Sequence, residues 1–152
     1  MEPPRIVIAP AEPGDEEWCA RLMAANEPWI TLRRDLSACR ASLTRQDTEL
    51  FVARENGRAV GFLLVAPQGF ASSPYVRSIA VAGDARGRGI GSELLRFAEG
   101  HFAGRRHLFL LVSSFNDRAY TLYRRQGYER IGELKDYVVP GSSELILHKW
   151  LV

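Results

Sequence analysis

The chain has 152 residues, of which 46% are hydrophobic and 25% charged, the balance of one globular domain that buries about two-thirds of its unfolded surface. Its formal net charge of +2 is too small to point to a nucleic-acid or membrane partner. No run approaches the roughly 18 apolar residues of a membrane span, and the N-terminus lacks the apolar stretch of a signal peptide.

After Pro3-Pro4, the apolar run Ile6 to Ala9 predicts a first strand. Gly14-Asp15 starts a helix with Trp18, Leu22 and Met23 at helical spacing, interrupted at Pro28. A second short helix is expected from Asp35 to about Leu43. Cys19 and Cys39 fall in these helices and do not form a CxxC pair, so they read as small buried hydrophobes in a reduced cytoplasm. Leu50 to Arg54 and Ala59 to Val65 are strands joined by Asn56-Gly57, a pair suited to a two-residue hairpin because both turn residues need positive φ. Pro74 to Val81 is a further strand. A glycine-rich turn follows, then a helix from about Gly89 to Phe102 with Ile90, Leu94, Phe97 and Ala98 on one face. Leu108 to Val112 reads as a buried strand. Asn116 caps the next helix, which ends before Gly127. Tyr128 to Leu134 and Glu144 to Leu151 are two closing strands. The order β-α-α-β-β-β-α-β-α-β-β is α/β with one central mixed sheet, and residues 1–152 read as a single unit.

Two segments carry chemistry. Arg86-Gly87-Arg88-Gly89-Ile90-Gly91-Ser92 lies between a strand and a helix. The first turn of a helix has unpartnered N–H groups and a partial positive charge, and glycines let an anion approach the backbone, so the unit is a cradle for phosphate or pyrophosphate. The Rossmann spacing fails, because the sixth position from Gly87 is Ser92. The P-loop fails, because the segment has no lysine. A tight glycine-rich turn and an arginine-glycine contact to nucleic acid remain open for the segment alone. The second unit runs from Ser113 to Tyr128. Asn116 stands where strand becomes helix, Tyr123 lies two helical turns on and on nearly the same face, and Gly127 ends the helix. By itself Tyr123 is also compatible with a core tyrosine.

Together the two units resemble the GNAT superfamily of N-acetyltransferases. Arg86-x-x-Gly89-x-Gly91 matches the family's Arg/Gln-x-x-Gly-x-Gly/Ala. Asn116, Ala119, Leu122-Tyr123 and Gly127-Tyr128 match its second motif. Val60-Gly61-Phe62 and Ile79-Ala80-Val81 match its third- and fourth-strand signatures. The match is close over residues 49 to 130 and holds in element order throughout.

The resemblance implies a single-domain GNAT fold, a mixed seven-stranded sheet with about four helices, splayed between strands four and five. It implies an acyltransferase that uses acetyl-CoA as cosubstrate and no metal. The pantetheine arm would pair with the backbone of Ile79, Ala80 and Val81. The pyrophosphate would meet the amides of Gly87, Arg88, Gly89, Ile90, Gly91 and Ser92, with the Arg86 and Arg88 side chains nearby, and Asn116 would contact the pantetheine or substrate. Tyr123 occupies the general-acid position, and a phenol of pKa about 10 can protonate a thiolate whose acid has pKa about 8.5. A fourth-strand glutamate common in the family is replaced here by Arg77 and Ser78. This leaves Glu27, Asp136, Tyr137 or a relayed water as base. Glu27, Trp29 and Tyr137 are the substrate-side residues. The implied acceptor is a small-molecule amine. The alternatives are a peptide N-terminus, as in enzymes that modify a ribosomal protein, and a sensor that binds acyl-CoA without turnover. A cytoplasmic setting is expected, a homodimer is left open, and neither nucleic acid nor membrane is expected as a partner.

Overall fold

In the computed structural model, which describes residues 5–152, seven strands form one sheet in the order β1-β2-β3-β4-β5-β7-β6. They are β1 (Ile6–Pro10), β2 (Glu49–Glu55), β3 (Arg58–Phe70), β4 (Ser73–Val81), β5 (His107–Ser113), β6 (Glu129–Leu134) and β7 (Glu144–Trp150). Pro3-Pro4 lies outside the described residues. Only β4 and β5 are parallel among the paired strands. Their connection carries α3 (Ile90–His101), as a parallel crossover requires. Helices α1 (Asp15–Ala24) and α2 (Leu36–Leu43) link β1 to β2, and α4 (Asp117–Arg125) links β5 to β6.

The helices cover the sheet unequally. The apolar face of α3 places Ile90, Leu94, Leu95 and Ala98 against Leu63, Val65, Leu108 and Leu110, with Tyr123 and Tyr128 in the same core. On the other face Cys19, Met23, Cys39 and Leu43 of α1 and α2 pack on Val52, Phe62 and Leu64. Both cysteines are free and buried, as their apolar surroundings suggested. Side chains of this size each contribute about 1.5–3 kcal/mol when fully buried, so the two cores clamp β2 and β3 from both sides.

The Asn56-Gly57 turn has positive φ at both residues, 52° and 80°, as the hairpin demands. Three boundaries differ from those expected of the sequence. β3 runs on to Phe70 and turns into β4 at Ala71 and Ser72, both at positive φ although neither is glycine. A short 3-10 turn at Gly83–Ala85 precedes the glycine-rich loop. Tyr128 stands before β6 instead of opening it, and its phenol donates to Glu99 at 3.0 Å. Among the described residues no helix is long and apolar enough to cross a membrane.

The sheet splits where β4 bulges. Leu64 pairs with Ser78 and Val65 with Val76, so Arg77 has no opposite number on β3. An extra residue of this kind bends its strand. β4 pairs with β5 only at Tyr75↔Phe109 and Val76↔Leu110, immediately before the bulge. Beyond it β4 stays with β3, while β5 stays with β7 as far as Ser113↔Glu144. The residues from Arg77 to Val81 therefore have a strand on one side only.

Candidate active site

The open edge of β4 leads to the glycine-rich loop. Gly87 and Gly89 have φ of 79° and 81°, which L side chains rarely adopt. A Cβ built on either would meet nothing within 4 Å, so free space fronts this loop. The first capping bond of α3 runs from the Glu93 amide to the Gly89 carbonyl at 3.0 Å. The amides of Ile90, Gly91 and Ser92 precede it and point out of the helix start. This arrangement fits an anion, and it does not depend on a Cβ-free residue at Gly91. What Gly91 provides is helix packing. A Cβ there would sit 2.9 Å from Leu122 Cδ2, so its hydrogen lets α3 start close against α4.

The two arginines are engaged by the protein. Arg86 donates to the Val81 carbonyl at 3.3 Å and to Asn26 Oδ1 at 3.1 Å, tying the loop to the end of β4 and the segment after α1. Arg88 pairs with Glu55 at 2.8 Å. Ser92 Oγ accepts from Gln126 Nε2 at 3.1 Å, a second tie between α3 and α4. Ile79, Ala80 and Val81 pair with Leu63, Phe62 and Gly61. Gly61 permits that contact, since a Cβ on it would stand 2.8 Å from the Ala80 carbonyl oxygen. Sequence reasoning singled out neither Asn26 nor Gln126, because each acts through a partner distant in the chain.

Asn116 caps α4 as expected, accepting from the Ala119 amide at 3.4 Å, and is half-buried. Tyr123 is 6% exposed. Burial raises its phenol well above the usual tyrosine range, and the nearby Tyr75 adds to the effect. Among the described residues no protein group hydrogen-bonds its hydroxyl, and no side-chain polar atom there is sealed without a partner. The hydroxyl therefore keeps some accessible surface. Tyr75, on β4 just before the bulge, is half-buried; burial pushes it up to about 12, opposed by Arg77 and reinforced by Glu144 and Tyr137. It lies within electrostatic reach of Tyr123.

Within electrostatic reach of Tyr75 is a residue the sequence did not single out. Glu144 opens β7 opposite Ser113, is buried, and accepts from the Ser113 hydroxyl at 2.8 Å. Burial raises its carboxyl above the ordinary glutamate value, with Ser113 opposing. A glutamate at a strand start has no sequence signature of its own.

Two of the residues suggested as bases make local hydrogen bonds. Glu27 accepts from the Thr31 amide at 2.9 Å and from the Thr31 hydroxyl at 2.5 Å. Asp136 accepts from the Gly141 amide at 2.7 Å and braces the β6–β7 loop. Trp29 is partly buried and packs against the core of α1 and α2. Tyr137 is 63% exposed in the β6–β7 loop, within electrostatic reach of Tyr75. Two shallow clefts around Glu16 and Thr44 touch none of these groups.

Comparison with known proteins agrees with this geometry. The profile of the acetyltransferase (GNAT) family matches residues 12–128. The N-alpha-acetyltransferase RimI of Mycobacterium tuberculosis is 30% identical over 143 residues, 87% of this chain and 84% of that protein. An uncharacterized Mycobacterium leprae protein is 33% identical over 145 residues, 91% of this chain; the chain spans 38% of that longer protein. A solved aminoglycoside 6'-N-acetyltransferase complexed with coenzyme A shares the fold, with a TM-score of 0.78 at 15% identity over 96% of this chain and 97% of that one.

Proposed function

Because this chain belongs to the acetyltransferase (GNAT) family and is an acyltransferase, we propose that it moves an acetyl group from acetyl-CoA directly to a primary amine within a ternary complex. The observation that carries this reading is the one-sided edge of β4. It runs from the Arg77 bulge to Val81 and ends at the open loop of Gly87 and Gly89. Unpaired strand groups suit an extended amide-bearing arm, and the free amides at the start of α3 suit a pyrophosphate at its end. We assign the donor to Ile79, Ala80 and Val81, to the backbone of residues 87–92 and to Asn116. Residues 1–152 act as one catalytic domain.

The donor supplies an acetyl thioester. Backbone N–H groups at the bulge are placed to oppose negative charge developing on the thioester oxygen. Tyr123 holds its proton tightly and gives it to the departing sulfur. Desolvation weakens it as an acid, but the same surroundings raise the thiol's pKa as well, so transfer between them stays near balance. Arg86 and Arg88 act through their protein partners, the first by fixing the loop to β4 and the second by anchoring it to Glu55. Neither buried cysteine is a nucleophile: burial pushes Cys19 up to about 12, reinforced by Asp15, and raises Cys39 too. Their free thiols support a cytoplasmic setting.

We take the acceptor to be a small-molecule amine. The 30% identity to RimI over most of both chains supports a second reading, a peptide N-terminus. The test is thiol release from acetyl-CoA against a panel of polyamines, aminoglycosides and N-terminal peptides. Turnover on the peptides alone would replace the first acceptor class with the second. Binding of acetyl-CoA without thiol release on any acceptor would overturn catalysis and leave a sensor.

A further inference from the structure

Glu144 is a charged group kept where the fold gains nothing from its charge. It is 8% exposed, and among the described residues its one hydrogen-bond partner is Ser113, which donates to Oε2 at 2.8 Å. An ionised carboxylate has about four acceptor sites, and no cation among the described residues is paired with it. Buried carboxylates held by so little are costly, and such groups concentrate where chemistry uses them. Oε1 has no protein donor, yet no buried polar atom among the described residues lacks a partner, so Oε1 reaches accessible space.

The strand geometry says which space. Ser113 is the last residue of β5 and Glu144 the first of β7, at the end where β5 has parted from β4. Ser114 donates to the Ser143 carbonyl at 2.8 Å, and Ser143 returns a bond to Ser114 Oγ at 3.0 Å. These bonds fix the pair just past the strand ends. Tyr75 of β4 lies within electrostatic reach of Glu144, Arg77 and Tyr137, and Glu133 of β6 accepts from Ser143 Oγ at 3.0 Å. Tyr75 feels Glu144 on one side, and Tyr123 feels Tyr75 on the other. Tyr75 thus lies near both the acid and the carboxylate.

We propose that Glu144 takes the proton from the acceptor's ammonium, with Ser113 as its positioning residue; the inference rests on the transferase reading above. The carboxylate accepts one proton from R–NH3+. The freed nitrogen lone pair forms the C–N bond, the C–S bond breaks with its electron pair going to sulfur, and Tyr123 protonates that sulfur. The nitrogen's second surplus proton restores Tyr123 through water, and Glu144 releases its proton to solvent. One proton leaves per turnover. A carboxyl above its ordinary range works closer to assay pH, which favours proton transfer. This role suits a cationic amine acceptor.

The test compares E144Q and S113A with the wild type in kcat/KM against pH, acetyl-CoA affinity by calorimetry and Tm against pH. For E144Q we expect kcat/KM to fall about 10²–10³-fold, its acid limb to vanish and acetyl-CoA affinity to hold within threefold. For S113A we expect the acid limb to move upward, because Ser113 now holds the Glu144 pKa down. Glu144 favours its protonated form in the folded state, so the wild type loses stability relative to E144Q as pH rises through that raised pKa. E144Q turnover within threefold of wild type with its acid limb intact overturns the inference while leaving the transferase reading standing. A pH-independent Tm difference overturns it without any acceptor. A wild type that neither binds acetyl-CoA nor releases thiol overturns the transferase reading, and this inference with it.

Discussion

Replacing Tyr123 with Phe separates catalysis from architecture. The side chain is 6% exposed and packs among the residues under α3 and α4, and phenylalanine fills the same ring volume. The lost hydroxyl meets no protein partner among the described residues, so no orphaned donor or acceptor is left behind. The stability change is held to about 0.5 kcal/mol, or about 1–2 °C in Tm for a chain of this size. The rate effect is of another order. Loss of a positioned acid costs about 10²–10⁴-fold, or about 3–5 kcal/mol of barrier. Burial lifts the Tyr123 phenol out of the ordinary range, so it stays protonated between pH 6 and 9 or thereabouts. Y123F should therefore lower the whole pH–rate curve without changing its shape. The assay is steady-state thiol release alongside calorimetric titration with acetyl-CoA. A kcat within twofold of wild type would refute the acid role. A rate loss matched by an equal loss of acetyl-CoA affinity would refute it too, placing the hydroxyl in donor binding.

Other substitutions probe the frame. Gly61→Val drives a side chain into the Ala80 carbonyl, 2.8 Å from the Cβ position. It should cost about 1–3 kcal/mol as overpacking and weaken acetyl-CoA binding, both read by denaturation and calorimetry. Gly89→Val forces a branched residue to φ of 81° and fills the space before the helix start; acetyl-CoA affinity should fall at least tenfold, and unchanged binding would remove the loop from the donor site. Asp15→Ala leaves Arg54, whose side chain is 22% exposed, with only the looser 3.8 Å pairing to Glu12, and should destabilise by about 2–3 kcal/mol, below the range for fully buried pairs. Burial raises the Asp15 pKa, but Arg54 and the Glu12 amide outweigh it and the net shift is downward. Its contribution is thus present above the unfolded pKa near 3.8 and lost as pH falls through the lower folded value; D15A should flatten the acid limb of the Tm–pH curve.

Most of the frame was readable from local pattern. Asn56-Gly57 needed two positive φ values and has them. Asp35 and Asn116 cap their helices through bonds to the third residue on. Such features are decided within a few residues, where spacing carries the information. The turn at Ala71 and Ser72 was not readable, because tertiary pairing of β3 with β4 holds two non-glycine residues at positive φ there. The glycine-rich loop was read as one anion site, yet its glycines divide the labour. Gly87 and Gly89 supply backbone conformation and open space, while Gly91 supplies room for Leu122.

The site itself divides along the same line. Tyr123 and Asn116 sit on one helix, and the loop opens another, so their relation survives in the spacing. The base does not, because Glu144 lies 31 residues from Ser113 and meets it only through the β5–β7 register. Thr31 holds both oxygens of Glu27, whereas the Gly141 amide holds one oxygen of Asp136. A carboxylate held at both oxygens by its own turn, as Glu27 is, gains local structure and loses freedom to accept a substrate proton. One held by a single cross-strand hydroxyl keeps that freedom at the expense of fold stability. If Glu144 is the base, neutralising it should make the protein more stable at neutral pH and slower in the same variant. A substitution that slowed the enzyme by loosening the site would move both quantities downward.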